Sequence, residues 1–200
     1  MIQPEFYVIT GPNGAGKSSF IRSRLNDFSD FEIIMTDVFK SRTEDVLKKA
    51  ISLRKNIVFE TVFNDSSFKN IVDNARIAGY KTSLIVLFLN SIEESVKRVT
   101  IRRLDQNGLD ICKGNVEINF NENFRNVSFY HFYFGKAYFI YTGNKNQNIN
   151  IMALIGLEIV NYVSNSNKYI QAFANYAFKN DRLSQKSFEI ITSNKNFPIH

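Results

Sequence analysis

Gly11-Pro12-Asn13-Gly14-Ala15-Gly16-Lys17-Ser18 decides how this chain is read. The stretch meets the pattern G-x-x-x-x-G-K-[ST] of a phosphate-binding loop at every required position. Its flanks supply the context the pattern needs. The apolar run Phe6-Tyr7-Val8-Ile9 before it reads as a strand, and Ser19-Phe20-Ile21-Arg22-Ser23-Arg24-Leu25 after it reads as a helix. Glycines at 11, 14 and 16 permit a tight turn that aims backbone N–H groups inward, and the helix N-terminus adds partial positive charge. On this reading the loop from Gly11 to Ser19 cradles a nucleoside triphosphate, ATP or GTP. Lys17 reaches the β- and γ-phosphates and Ser18 ligates Mg²⁺.

Outward from the loop, apolar strands alternate with helices. Phe31–Thr36 reads as a second strand, buried on both faces, that stops at Asp37. Thr43–Lys55 has helical spacing. Asn56–Phe59 is a third strand that runs into Glu60 and Thr61. Ser66–Ala78 is a helix stopped by Gly79. Lys81–Leu89 is the strongest strand, and Ser91-Ile92-Glu93-Glu94 opens a helix through Arg103 with a capping box. Beyond it, 106–115 reads as a loop and Val116–Phe134 as helical. Tyr138–Tyr141 and Ile149–Val163 read as later strands, Asn165–Asn180 as an aromatic-striped helix, and the stretch from Ser184 as a polar tail. The alternation predicts an α/β protein: a three-layer P-loop NTPase fold with a mostly parallel central sheet and a helical lid. The expected division is one kinase domain over 1–183, lid at about 91–127, and a tail over 184–200.

Composition sets the outer limits. The chain has 200 residues, of which 44% are hydrophobic and 22% charged, as in an ordinary globular domain. Its net charge of +6 suits an anionic ligand; no coherent basic–aromatic stripe points to nucleic acid. The lone Cys112 rules out an internal disulfide and a multi-cysteine zinc site, and His131 and His200 are too few for a histidine-built one. The longest apolar run, Leu84–Leu89, is far short of the roughly 18 residues of a membrane span. A strand begins too early for a secretory signal, so a cytoplasmic protein is expected.

In open parallel sheets ligands bind beyond the carboxyl ends of the strands, and two of those ends carry an acid. Asp37 sits where a phosphate acceptor would lie, and its carboxylate can take the proton of an attacking hydroxyl. Glu60 can orient the acceptor or hold a metal-bound water, and Thr61 is a weaker candidate of the same kind. Arg98 and Arg102, four apart on one helical face, can close over a phosphoryl group. The strongest strand ends in Asn90 where a motor or transporter ATPase carries its metal-binding Asp. The aromatic run from Phe129 to Phe134 reads as core packing, with His131 part of it.

These residues resemble the zeta-toxin family of P-loop kinases, over roughly residues 5 to 145. The likeness is carried by the loop, by Thr36-Asp37-Val38-Phe39 and by Phe59-Glu60-Thr61. It continues through Ala78-Gly79-Tyr80 and the run from Ser91-Ile92-Glu93-Glu94-Ser95 to Arg98-Val99 and Arg102. The resemblance implies a kinase using ATP or GTP with Mg²⁺. Its best-known members phosphorylate the sugar 3′-hydroxyl of UDP-N-acetylglucosamine and are held off by an antitoxin. It further implies Asp37 as base, Lys17 as phosphate clamp, Glu60 and Thr61 as acceptor contacts, and Arg98 and Arg102 as the charge-stabilising lid. Short members usually follow the arginines with a G-G-H-x-V-P loop and an arginine-rich helix. Here that loop has neither the His nor the Pro, and Asn119 stands about where an arginine is expected. Arg125 is the one arginine left in that segment and is taken as an acceptor contact. Two alternatives stay open: a kinase of nucleosides or nucleic-acid ends, and a regulatory nucleotide-binding module with a degenerate acceptor site.

Overall fold

A computed structural model describes residues 3–65, 68–106, 111–144 and 147–197. Its strands are β1 (Glu5–Thr10), β2 (Phe31–Met35), β3 (Asn56–Thr61), β4 (Lys81–Phe88), β5 (Lys136–Tyr141), β6 (Ile149–Ile155) and β7 (Glu158–Tyr162). They form one sheet in the order β2-β3-β1-β4-β5-β6-β7. Its helices are α1 (Lys17–Arg22), α2 (Thr36–Phe39), α3 (Thr43–Ser52), α4 (Phe68–Ile77), α5 (Ile92–Gln106), α6 (Lys113–Tyr130), α7 (Lys168–Lys179) and α8 (Gln185–Ser193). From β2 through β5 every pairing is parallel; β6 and β7 add an antiparallel hairpin turned at Gly156. The result is the expected three-layer P-loop fold.

Strand alternation divides the core between the two faces of the sheet. Phe6 and Val8 of β1 and Leu84, Val86 and Phe88 of β4 join the larger cluster, which takes in residues of α3, α4, α6, α7 and α8. Ile9, Ile85, Leu87 and Leu89 face the smaller cluster, closed by Phe20, Ile21 and Phe28. The central strands are buried almost throughout because both faces are covered.

Four local expectations change. β2 lies at the sheet edge and fully buries only Ile34, because strand order, which apolarity does not encode, leaves one of its sides without a neighbour. The first helix ends at Arg22, well short of Asn26. There the Ser23 hydroxyl donates to the Phe20 carbonyl at 2.8 Å and competes with the helical ladder. The capping box forms in part: Ser91 Oγ accepts from the Glu94 N–H at 3.3 Å, while the Glu94 carboxylate reaches back to the N–H of Asn90. The stretch read as a polar tail forms α8, capped by Ser184 and anchored by buried Ile191. α8 and the residues around it protect the β7 edge. Ser187 Oγ accepts from the Ile159 N–H at 2.9 Å, and Phe197 N–H donates to the Tyr162 carbonyl. Residues 107–110 of the expected loop lie outside the described residues. Among the described residues no helix is long and apolar enough to cross a membrane.

The aromatic run packs as core. His131 lies 5.2 Å from the Phe173 ring, and Arg182 stacks over Phe129 and Phe132. Burial pulls the His131 imidazole down to about 4. The unfolded chain takes up this proton near pH 6.5 while the folded one does not until about pH 4, so stability falls as pH drops through that window. Below it the loss reaches about 3 kcal/mol. Denaturant midpoints measured from pH 7 to pH 4 should therefore fall more steeply for the wild type than for His131→Gln; parallel slopes contradict this account.

Candidate active site

The loop closes on itself and on its neighbours. Gly16, with φ +84°, caps α1, and the Ala15 N–H donates to the Pro12 carbonyl. A Cβ at Gly11 would stand 2.2 Å from the Leu87 carbonyl oxygen, a distance only glycine avoids. At Gly14 a Cβ would stand 3.1 Å from both Arg98 Cβ and the Ser95 carbonyl, so the loop lies against α5. Ser95, fully buried, donates its hydroxyl to the Asn13 carbonyl, and Thr142, just after β5, donates to the Ala15 carbonyl at 2.9 Å.

Lys17 is buried, and its Nζ donates to the carbonyls of Gly11 (3.0 Å) and Pro12 (3.4 Å). Burial pushes its ammonium below the ordinary range, while the charges of Glu60 and Asp37 oppose that shift and Arg102 adds to it. Glu60 is 4% exposed. Burial raises its carboxyl and so does Asp37, while Lys17 and the hydrogen bond from Ser18 hold it down. Ser18 Oγ lies 3.4 Å from Glu60 Oε2. A hydroxyl and a buried carboxylate side by side are the hard oxygen donors that suit Mg²⁺, so this pair fits the ion the loop implies.

Two cavities meet here. The first, about 1050 Å³, is lined by the loop from Asn13 to Ser19 and by Glu60, Arg98, Arg102, Thr142, Asn144 and Gln147. The second, about 860 Å³, runs between α3, α4 and α6 and includes Thr61 and Lys40. Asp37, in the first turn of α2, lines both, and it is the one carboxylate to do so among the described residues.

The arginines differ from expectation. Arg98 reaches the first cavity, but its guanidinium is engaged by the carbonyls of Gly14, Thr142 (2.6 Å) and Gly143 (2.9 Å). It acts as a strut joining α5, the loop and the end of β5. Arg102 lines the same cavity with a buried Nε that has no hydrogen-bond partner. Arg125 lines neither cavity; it is exposed on α6 and pairs with Glu122 at 3.1 Å. Its helical phase turns it away from the face that carries Asn119, Asn123 and Asn126. The acceptor contact expected of Arg125 is therefore corrected.

That asparagine face escapes a reading of the sequence. Asn119 donates to Asn13 Oδ1 at 2.8 Å and accepts from Asn64 at 2.9 Å, bridging the loop to the segment after β3. Asn126 donates to the Phe63 carbonyl at 3.1 Å. Asn123, fully buried, donates to Thr10 Oγ1 at 2.9 Å and to the Val62 carbonyl. The available signal is the spacing 119, 123, 126, one helical face.

Comparison with known proteins follows the geometry. The family model described as Zeta toxin matches residues 29–134, more than half of the chain. The chain belongs to the zeta-toxin family. The matched span begins after the phosphate-binding loop, so loop and family match are separate observations. A comparison with curated proteins gave no match. Among solved structures, one from the PezAT chromosomal toxin–antitoxin system of Streptococcus pneumoniae has TM-score 0.56 and 18% identity, over 74% of this chain and 72% of that one. The AvrRxo1-ORF1:-ORF2 complex with ATP gives TM-score 0.60 and 15% identity, over 92% and 66%. The Pnkp1/Rnl/Hen1 RNA repair complex gives 0.52 and 22%, over 62% and 45%. The chain spans less than two thirds of the latter two, and at these identities the likeness is one of fold. Fold and family together make it a nucleotide-binding protein of kinase type.

Asn123 has no route to solvent for its hydrogen bonds. Asn123→Ala should lower unfolding stability by about 1–2 kcal/mol, since it removes two buried hydrogen bonds and leaves Thr10 and Val62 only the one they make with each other at 3.1 Å. An unchanged urea midpoint contradicts that role.

Proposed function

We propose that this zeta-toxin family member transfers the γ-phosphoryl group of ATP or GTP to a hydroxyl of a small molecule. The observation that carries the reading is the position of Asp37 at the junction of the two cavities. A triphosphate on the loop brings its γ-phosphate toward that junction, and an acceptor in the second cavity reaches it from the other side.

Each residue then has a role. Gly11, Pro12, Asn13, Gly14, Ala15, Gly16 and Ser19 build the cradle, and Lys17 leaves the loop carbonyls for the β- and γ-oxygens. Ser18, with Glu60 behind it, would hold Mg²⁺, which supplies positive charge to the phosphate oxygens when bound. Arg102 has an unpaired Nε and neutralises charge on the transferring group; Arg98 holds the loop that does so. Asp37 accepts the proton of the attacking hydroxyl. Thr61 contacts the acceptor, and Glu60 orients the site. Such transfer is mostly positioning and electrostatics, and this chain supplies both.

UDP-N-acetylglucosamine, the acceptor implied by the family, enters the assay beside sugars and nucleosides that carry no phosphate, and an antitoxin protein is the partner that family membership suggests. A donor of this kind suits a cytoplasmic reaction, which is the location we propose. The test is Lys17-dependent transfer from ATP, read by mass spectrometry as the gain of one phosphate. Lys17→Ala should abolish it. Asp37→Asn should lower turnover by about 100-fold or more while nucleotide affinity stays within about threefold. Unchanged turnover in Asp37→Asn removes the residue from the role of base.

A further inference from the structure

The two cavities differ in charge. Among the described residues the first is lined by Lys17, Arg22, Arg98 and Arg102 against Asp37 and Glu60, a net positive wall suited to a triphosphate. The second carries only Lys40 and Lys48 against Asp37, Glu44 and Asp65. Lys48 is moreover paired with Glu44 at 2.8 Å. Among the described residues no arginine lines this cavity. The stretches 66–67 and 105–110 contain neither Lys nor Arg in their sequence, so they hold no further cation.

Amides take the place of charge. Asn70 and Asn74 lie four apart on α4, and Asn115 and Asn119 four apart on α6; all four line the second cavity together with Asn64. The hydrogen bond from Asn64 to Asn119, and that from Asn119 to Asn13, fix the orientation of part of this wall in advance. Phe59, Phe68 and Ile71 add apolar surface beside it. An asparagine offers two N–H donors and a carbonyl acceptor, which match hydroxyls and amides. Among the described residues a phosphate in such a cavity would find Lys40 as its one cation outside an ion pair, set against the carboxylates of Asp37 and Asp65, too little to offset its desolvation.

We infer that the second cavity takes an uncharged, hydroxyl- and amide-bearing acceptor, such as a sugar or nucleoside without phosphate, and excludes nucleoside diphosphates. The inference rests on the kinase reading and narrows its substrate class. The reaction balances as a phosphoryl transfer. The acceptor oxygen bonds to the γ-phosphorus as the bond to the β–γ bridging oxygen breaks; the hydroxyl proton passes to Asp37 and the nucleoside diphosphate leaves.

Two measurements on the full chain test it. A small-molecule extract is split on an anion exchanger at neutral pH, and each fraction is incubated with γ-labelled ATP and Mg²⁺ beside a Lys17→Ala control. Lys17-dependent label from the unretained, uncharged fraction should exceed that from the retained fraction by roughly tenfold or more. Label mainly from the retained fraction overturns the inference. Separately, protein saturated with Mg²⁺ and the β,γ-imido analogue of ATP is titrated with inorganic pyrophosphate in a calorimeter. No saturable binding is expected up to about 1 mM; binding below that concentration overturns the inference. If neither fraction is labelled although nucleotide binds, the kinase reading fails, and the titration alone then decides the cavity's charge preference.

Discussion

The structure depends on one close approach of backbone to backbone. β1 and β4 are hydrogen-bonded neighbours, and where β1 ends the chain turns within reach of the Leu87 carbonyl, leaving no room for a Cβ at position 11. The rest of the kinase core converges on the turn that this contact fixes. α5 supplies the Ser95 hydroxyl and the Arg98 strut, the end of β5 supplies Thr142, and α6 supplies Asn119. A phosphate-binding loop works through preset N–H directions, and here four elements hold those directions from different sides.

The second constraint is electrostatic. Lys17 and Glu60 are both removed from water, and each makes the other's charge tolerable. Neither is a passive core residue, because no apolar side chain replaces the pair without emptying the cavity of its chemistry. Charge is also apportioned across the site. Among the described residues the cationic wall belongs to the cavity that the phosphate-binding loop lines, while the adjoining cavity is lined by amides and a slight excess of carboxylates. Asp37 sits on the boundary between the two cavities.

Much of this was legible in the sequence because it is local. Glycine spacing, the lysine after it and the apolar strand before it are near neighbours in the chain, and so are the acids at the ends of β2 and β3. What depends on strand order or helical phase was not legible. Ile33, Ile34 and Met35 look like a central strand, yet β2 is an edge. Arg98 carries the charge expected of a lid, but the backbone carbonyls that occupy it belong to residues more than forty positions away as well as to the loop. The asparagines of α6 carry no signal in the sequence beyond their spacing until the fold turns 119, 123 and 126 inward, and the same rotation turns Arg125 outward. α8 was obscured by its polar composition, although Ser184 and Ile191 mark its start and its buried side.

The most direct measurement is a crystal structure with Mg²⁺ and the β,γ-imido analogue of ATP bound. This account places the triphosphate on the loop from Gly11 to Ser19, with Lys17 Nζ transferred from the Gly11 and Pro12 carbonyls to the β- and γ-oxygens. The γ-phosphate should face Asp37 and open onto the asparagine-lined cavity. A γ-phosphate directed away from Asp37, or a nucleotide seated in the second cavity, would contradict it.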